Sequence, residues 1–184
     1  LTSLASSATG ASIYYLKIDG KLLVNTGENF VTNVPSISST GRTNPSAGFS
    51  ICTYSGAGAT GTISHQLNAK PGLILVKCTN NSENWAVYHS SLGAEKYIRL
   101  NNTDSAGDST IFWNDTEPDS SVVTLFNYDG VNGDSAKDYV AYCFAPVEGY
   151  SKISEYTSNG TNNFVYTGFR PAFLLAKRVV NTGD

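Results

Sequence analysis

The chain lacks methionine altogether, contains two histidines, and has few charged residues, which make up 15% of its length. A membrane-spanning helix requires about 18 consecutive apolar residues, and no apolar run in the sequence approaches that length. The formal net charge is −3, and lysine and arginine do not cluster anywhere along the sequence. Proteins that bind nucleic acid neutralise phosphates with such clusters. We therefore expect neither membrane insertion nor a nucleic-acid partner.

Three cysteines are present, and all of them lie in apolar, strand-like runs. No two are spaced as C-x-x-C, the spacing typical of structural zinc sites. An odd number of thiols cannot pair completely within one chain. We therefore predict that Cys52, Cys78 and Cys143 are buried free thiols, and that the chain folds in a reducing cytosol.

The clearest local signal is a β-hairpin near the N-terminus. Asp19-Gly20 separates two β-rich runs, Ile13–Ile18 and Lys21–Val24, and Asp-Gly supplies the positive φ angles of a type I′ turn. We interpret residues 1–24 as the end of a preceding lectin-like β domain. Residues 25–47, which are rich in Ser, Thr, Asn and Pro, are predicted to be a linker or a long loop along the surface.

From Gly48 onward, short apolar runs alternate with turn residues. Helix-forming residues with the helical period of 3.6 residues occur only in Leu92–Leu100, which could hold a helical turn. Many short strands within about a hundred residues are typical of sandwiches and barrels. We predict an all-β fold, an antiparallel β-sandwich of the jelly-roll or lectin-like type over residues 48–147. Its predicted strands are Phe49–Tyr54, Thr60–Leu67, Leu73–Lys77, Asn84–His89, Lys96–Leu100, Thr110–Trp113, Val122–Phe126 and Asp138–Ala145.

An internal repeat follows this unit. Gly48-Phe49-Ser50 recurs as Gly149-Tyr150-Ser151, and the run 70–77 (KPGLILVK) recurs as 170–177 (RPAFLLAK). A period of about a hundred residues indicates tandem domains rather than a solenoid. We interpret residues 148–184 as the incomplete start of a second repeat. With no methionine in the chain, we expect the sequence to be a piece of a longer polypeptide, truncated at both ends.

Four aromatic residues are candidates for a glycan-binding platform, because exposed aromatic rings stack on sugars. They are Trp85, Tyr88, Trp113 and Tyr128. The alternative interpretation, which we favour for the two tryptophans, is that these large rings fill the core of the sandwich.

One loop carries oxygen-bearing side chains interspersed with glycine, a composition that suits Ca²⁺. Its candidate ligands are Asn127, Asp129, Asn132 and Asp134. The order of ligands in an EF-hand and its final glutamate are missing. A loop stabilised by Asx turns is therefore the favoured interpretation, with Ca²⁺ as the alternative and no other cofactor expected.

No catalytic constellation is evident. His65 and His89 can be combined on paper with Ser90, Ser91 or Asp104, but no G-x-S-x-G motif is present. We expect residues 88–93 to be a strand-to-turn junction held by hydrogen bonds, and we predict that the chain is not an enzyme.

Three runs carry a family resemblance: Trp85–Ala94, Phe112–Pro118 and Tyr139–Ser151, the last read as YVAYCFAPVEGYS. Together they resemble a repeated domain of unknown function in tail-fibre-like structural proteins of tailed bacteriophages. In those proteins the domain follows a lectin-like, concanavalin-type sandwich that ends in a hairpin similar to Ile13–Val24. The resemblance covers nearly the whole chain, and it transfers no catalytic residue.

The resemblance implies a virion component, folded in the host cytoplasm and then part of the extracellular particle. It implies a homotrimeric fibre or spike that associates with other virion proteins and holds or presents a host-surface contact. The aromatic candidates add the hypothesis that this contact is to host cell-surface glycan. Two alternatives remain, a purely structural capsid-attached fibre module and a glycan-degrading depolymerase.

Overall fold

The computed structural model describes residues 35–180 and, nearer the N-terminus, the two short strands Lys17–Ile18 (β1) and Lys21–Leu22 (β2). These two strands pair antiparallel, with Ile18 opposite Lys21. The hairpin around Asp19-Gly20 is thereby confirmed. Residues 1–34 and 35–184 form separate compact units. The rest of residues 1–24 and the linker residues 25–34 lie outside the described residues.

The second unit is all-β and antiparallel, which confirms the predicted fold class. Its strands are Ser39–Asn44 (β3), Phe49–Ser55 (β4), Gly61–Ser64 (β5), Leu73–Cys78 (β6), Ala86–His89 (β7), Lys96–Arg99 (β8), Gly107–Asp108 (β9), Val122–Leu125 (β10) and Asp138–Phe144 (β11). Seven of them form one sheet in the order β3-β4-β11-β6-β7-β8-β9, and β10 pairs with β5 in a second sheet. In the described part, the only helix is the 3₁₀ turn Pro45–Ala47, and no helix there is long or apolar enough to cross a membrane.

Strand β11 lies inside the large sheet, between β4 and β6. It pairs with β4 along one side and with β6 along the other, so that Cys143 lies opposite both Ser50 and Ile74. From Tyr139 to Phe144 its side chains alternate between buried and half-buried positions, as do those of β6. This period of two is what a strand between two faces of a sheet requires. The aromatic-rich run Asp138–Phe144 is therefore the strand that joins β4 to β6.

The core lies between the two sheets. Ile63 of β5 and Leu125 of β10 join Ile74, Ala141 and Cys143 of the large sheet in one buried cluster. Two packed sheets of this kind form a β-sandwich. All three cysteines are free and buried, as predicted.

The predicted strand Thr110–Trp113 is wrong, because these residues form a turn. The backbone N–H of Asn114 donates to Thr110 O over 2.9 Å, and Asn114 and Asp115 both have positive φ angles. Phe112 and Trp113 are consecutive and both buried. A strand would point them to opposite faces, whereas the turn brings both rings into the core.

The linker prediction is wrong for residues 39–44, which form the edge strand β3. Most of its side chains are exposed, so it has no apolar alternation that would reveal it in the sequence. Gly41 is required here, because an added Cβ would lie 2.2 Å from Ile51 O on the adjacent strand. Pro45 follows immediately, and proline near an edge limits further strand pairing.

The second copy of the repeat contains no strand over residues 152–180, although the first copy contains β4, β5 and β6. The second copy begins with an isolated bridge between Val147 and Ser151. The two copies therefore differ in conformation here, and the tandem arrangement stays a prediction.

Candidate binding surface on the outer face of the large sheet

The outer face of the large sheet, on the side away from the core, is apolar at its centre. Alternate residues of the central strands β4, β6 and β11 point outward and are half-buried: Phe49, Ile51, Leu73, Leu75, Val140, Tyr142 and Phe144. The strand register places Tyr142 opposite both Ile51 and Leu75. The rings of Phe49 and Phe144 lie 5.1 Å apart. The centre of this face therefore carries large side chains that contact one another across strands.

Trp85 extends this face, just before β7 begins. Its ring lies 6.2 Å from the ring of Tyr142, at an interplanar angle of 35°. The backbone N–H of Trp85 donates to Asn101 Oδ1 over 3.0 Å, and Asn101 Nδ2 donates to Asn84 Oδ1 over 2.8 Å. Both asparagines are exposed, while Trp85 and Tyr142 are half-buried. We call these four residues, Trp85, Tyr142, Asn84 and Asn101, the Trp85 patch.

The Trp85 patch combines two kinds of chemistry. Its aromatic rings offer an apolar surface, and its amides offer donors and acceptors at the edge of that surface. A ligand with an apolar face and a rim of hydroxyl groups would match both. The patch lies on a sheet and on a loop tied to it by hydrogen bonds, so little conformational freedom remains to be lost on binding.

Two of the four predicted glycan-binding aromatics belong to the core instead. Tyr88 and Trp113 are fully buried, with their rings in edge-to-face contact at 6.0 Å. The indole N–H of Trp113 donates to Lys96 O over 3.1 Å. Buried rings cannot stack on a sugar, so Tyr88 and Trp113 are removed from the platform. The interpretation of Trp113 as a core residue is confirmed.

Of the remaining two, Tyr128 packs at the margin of the core, with its ring edge-on to Phe112 at 5.0 Å. Trp85 lies on the outer face, and its aromatic partner there is Tyr142. Sequence reasoning missed Tyr142, because the run Tyr139–Phe144 is apolar on both faces and only the burial pattern of the sheet shows that Tyr142 faces away from the core.

Glu117 is the most heavily bonded carboxylate in the sandwich. It accepts hydrogen bonds from Lys70 Nζ over 2.7 Å, from the Tyr88 hydroxyl over 2.6 Å and from Ala94 N over 2.8 Å. Partial burial raises the pKa of Glu117, but the bonds from Lys70, Tyr88 and Ala94 outweigh it, and the pKa is lowered overall. The carboxylate therefore stays ionised and joins three segments of the fold.

The histidines are held in structural hydrogen bonds. His65 is buried. Its Nδ1 accepts from Leu67 N over 3.2 Å, and its Nε2 donates to Asp119 O over 3.2 Å. His89 Nδ1 accepts from Ser91 N over 3.2 Å, and His89 O accepts from Leu92 N. The predicted hydrogen-bonded junction at residues 88–93 is confirmed.

The two asparagines of the candidate metal loop bind a neighbouring loop. Asn132 is buried; its Oδ1 accepts from Ala57 N and its Nδ2 donates to Ala59 O, both over 2.8 Å. Asn127 Nδ2 donates to Gly58 O over 2.9 Å. These two side chains therefore fasten the loop to residues 57–59. An Asx-type bond within the loop runs from Ala136 N to Asp134 Oδ1 over 2.9 Å.

The two aspartates of that loop bind a lysine. Lys137 Nζ lies 3.2 Å from Asp129 Oδ1 and 2.9 Å from Asp134 Oδ2. The bond from Lys137 lowers the pKa of Asp134. The Tyr139 hydroxyl also donates to Asp129 O over 2.8 Å. The cation between these carboxylates is thus an ammonium group, and residues 35–180 contain no cluster of three His, Cys, Asp or Glu side chains arranged to hold a metal ion.

Comparison with known proteins gives one match. No curated protein and no solved structure is significantly similar to the chain. A family model described as a domain of unknown function, DUF7483, matches residues 25–184. The match includes the sandwich together with the segments on both sides of it. The chain therefore belongs to the DUF7483 family.

Proposed function

We propose that the chain is a non-enzymatic structural module of a bacteriophage virion appendage, and that it contributes to host attachment by binding cell-surface glycan at the Trp85 patch. Its proposed location is the virion, and its proposed partners are further copies of itself, in a homotrimer, and other virion proteins. The phage setting is drawn from the resemblance carried by Trp85–Ala94, Phe112–Pro118 and Tyr139–Ser151. The role in binding is drawn from the geometry of the sheet.

The observation that carries the proposal is the pairing of Trp85 with Tyr142 beside two exposed amides. Pyranose rings present C–H groups on their faces and hydroxyl groups around their edges. The C–H groups can stack on the indole and phenol rings, while Asn84 and Asn101 can bond the hydroxyls. Multiple copies in a fibre would add avidity to a weak single site.

The polar groups within the sandwich have structural partners. In the described part of the chain, every buried side-chain nitrogen or oxygen has a hydrogen-bond partner. Glu117 and His65 make bonds that join distant segments of the fold, and Lys137 binds two carboxylates of its own loop. The non-enzymatic part of the proposal rests on the resemblance, which transfers no catalytic residue.

A second candidate function, a purely structural module, is favoured by the other end of the outer face. There Phe49 and Phe144 contact each other beside Ile51 and Leu73. Apolar sheet surfaces of this kind are typical of interfaces between subunits. In this alternative, the face packs against another copy of the chain and spaces other domains along a fibre.

The two tryptophans allow a direct binding test. A Trp113→Phe variant leaves Trp85 as the sole indole, and a Trp85→Phe variant leaves only the buried Trp113. We expect host polysaccharide to change Trp85 fluorescence saturably and to leave Trp113 fluorescence unchanged. Trp85→Ala should weaken binding at least tenfold, whereas Tyr166→Ala, which removes an exposed aromatic outside the patch, should not change it.

The outcomes separate the candidates. Absence of binding, together with stable self-association by analytical ultracentrifugation, would favour the purely structural module. Release of reducing sugar from the polysaccharide would contradict the non-enzymatic proposal. Equal effects of Trp85→Ala and Tyr166→Ala would contradict the Trp85 patch as the site.

The virion setting has its own test. Antibodies raised against residues 35–180 should label an appendage of the intact particles whose genome encodes this chain, as seen by immunogold electron microscopy. Mass spectrometry should detect the chain among the proteins of purified particles. Its absence from those particles, with abundant free protein in infected cells, would refute the assignment to the virion.

A further inference from the structure

A cavity of about 460 Å³ lies at one edge of the sandwich, between the end of the edge strand β3 and the second sheet. That volume is within the range of small-molecule binding sites. Six of its seven lining residues carry polar side chains, and none of the seven is ionisable. The six supply four hydroxyl groups and two carboxamides: Thr43, Ser64, Ser120, Ser121, Gln66 and Asn68. The cavity therefore offers hydrogen bonds without charge.

The two residues that supply the carboxamides have an unusual backbone conformation. The φ angle is 55° at Gln66 and 56° at Asn68, in the left-handed region that side chains other than glycine rarely adopt. Such conformations cost free energy, and they occur most often at binding and active sites. Thr43 Oγ1 donates to Gln66 O over 3.4 Å, which joins β3 to this turn. The fold therefore holds two exposed carboxamides at the cavity wall at a cost to its stability.

A buried histidine braces the two loops that form the wall. His65 Nδ1 accepts from Leu67 N, and His65 Nε2 donates to Asp119 O, each over 3.2 Å. The Oδ1 atom of Asp119 in turn accepts from Ser121 N over 2.6 Å. Both loops are thus fixed by bonds that do not use the side chains lining the cavity. A ligand that binds there loses little affinity to ordering of the wall.

Most of the lining side chains are available to a ligand. Residues 35–180 provide no hydrogen-bond partner for five of these side chains, those of Ser64, Gln66, Asn68, Ser120 and Ser121. The carboxamides of Asn127 and Asn132, by contrast, bond the backbone of a neighbouring loop. The five groups at the cavity can therefore bond a ligand without first breaking a bond within the fold.

We propose that this cavity binds one unit of an uncharged sugar. Hydroxyls and carboxamides both donate and accept hydrogen bonds, so they match the hydroxyl groups around a sugar ring. The ring of Pro45, the seventh lining residue, adds an apolar surface for the C–H groups of the sugar. Phosphate and carboxylate ligands are bound by lysine and arginine, and neither residue lines the cavity.

The cavity is separate from the Trp85 patch. Three strands lie between β3, which carries Thr43, and β7, which follows Trp85. Ser64 belongs to the second sheet, whereas the Trp85 patch lies on the face of the large sheet that points away from the core. The two sites share no residue, so the inference from the cavity does not rest on the proposed function.

The test titrates the full chain, labelled with nitrogen-15, with the methyl glycosides of glucose, galactose, mannose and N-acetylglucosamine. We expect at least one of them to cause saturable chemical-shift changes in the backbone amides of residues 64–68 and 119–121. The 6-phosphate of the same sugar should bind at least tenfold more weakly, because the cavity has no cation for it. Cyclohexanol, a six-membered ring with a single hydroxyl, should also bind at least tenfold more weakly.

Two asparagines provide matched variants. Asn68 and Asn114 are both exposed, with φ of 56° and 52°, and glycine adopts such angles without strain. Asn68→Gly removes a carboxamide from the cavity and should weaken sugar binding at least fivefold. Asn114→Gly removes a carboxamide that does not line the cavity and should leave binding unchanged. Circular dichroism should show that both variants fold.

Several results would overturn the proposal. They are the absence of shift changes at residues 64–68 and 119–121 with every glycoside, equal binding of the phosphorylated sugar, and equal effects of Asn68→Gly and Asn114→Gly. Loss of binding in Trp85→Ala, with full binding in Asn68→Gly, would place the sugar at the Trp85 patch instead.

A competition experiment identifies the source of the sugar. Displacement of the methyl glycoside by host polysaccharide would support the proposal with the end of a glycan chain as the ligand. Binding of the glycoside without such displacement would support it with a free sugar as the ligand.

Discussion

The substitution Asn132→Ala tests how the loop 127–134 is held. Asn132 is fully buried, and its amide makes two hydrogen bonds of 2.8 Å, from Ala57 N and to Ala59 O. A neutral hydrogen bond contributes about 1 kcal/mol net, and an unsatisfied buried partner costs a further amount of similar size. Residues 57–59 are themselves exposed, so water can reach the two orphaned backbone groups. We therefore expect Asn132→Ala to lower the free energy of unfolding by about 2–3 kcal/mol.

The matched control is Asn127→Ala. Asn127 bonds Gly58 O of the same neighbouring loop through the same type of amide group, but the bond is exposed. Its loss should reduce the free energy of unfolding by at most about 0.5 kcal/mol. Urea denaturation followed by circular dichroism measures both variants. If the two variants lower the free energy of unfolding by amounts within about 0.5 kcal/mol of each other, the argument that burial makes the Asn132 bonds more valuable is refuted.

The same experiment examines the Ca²⁺ alternative for this loop. We expect added Ca²⁺ to leave the unfolding midpoint of the unmodified chain unchanged, because Lys137 already lies between Asp129 and Asp134. A rise in the midpoint with Ca²⁺, absent in Asn132→Ala, would instead identify the loop as a cation site.

Three further predictions concern the core and the edge of the large sheet. Burial lowers the pKa of His65 below its ordinary value of 6.5. As the pH falls, His65 therefore gains a proton in the unfolded chain before it does so in the folded protein, so the free energy of unfolding is maintained above pH 6.5 and decreases below it. In urea titrations between about pH 6.5 and 5, His65→Gln should make the free energy of unfolding depend less steeply on pH. An unchanged slope in this variant would contradict the role of His65. Cys52, Cys78 and Cys143 are all buried, so the three thiols should react slowly with a thiol reagent in the folded protein. Burial also raises the pKa of Cys143. Cys143→Ser should destabilise the protein by about 1–3 kcal/mol, and rapid labelling of the native thiols would contradict their burial. Gly41→Ala places a methyl group against Ile51 O, so it should lower the free energy of unfolding by about 1–3 kcal/mol and speed amide exchange in Ser39–Asn44. A decrease in the free energy of unfolding of less than about 0.5 kcal/mol would show that β3 can shift to make room for the methyl group.

The strands that the sequence predicted correctly are those with one face in the core. The sequences of β6 and β11, LILVKC and DYVAYCF, are nearly continuous apolar runs, and these runs are what identified the strands. The edge strand Ser39–Asn44 has no such run, because solvent reaches most of its side chains. Its pairing with β4 depends on Gly41, whose fit against the adjacent backbone is a property of the folded sheet.

The candidate site was harder to predict than the fold. Trp85 could be selected for its residue type, but its pairing with Tyr142 depends on the register of strands that are distant in sequence. Trp113 was equally conspicuous in the sequence, and the turn that starts at Thr110 directs it into the core. Aromatic residue type therefore identified candidates, while the three-dimensional arrangement decided which of them reach the surface.

The position of β11 between β4 and β6 also affects how the chain is made. Ribosomes release the N-terminal strands first, so β4 and β6 leave the exit tunnel while the strand that joins them, Asp138–Phe144, has not yet been translated. Until then the nascent polypeptide has open strand edges, a state prone to aggregation during synthesis. Closure of the sheet must await the final strand of the sandwich, and topologies with such long-range pairing fold slowly.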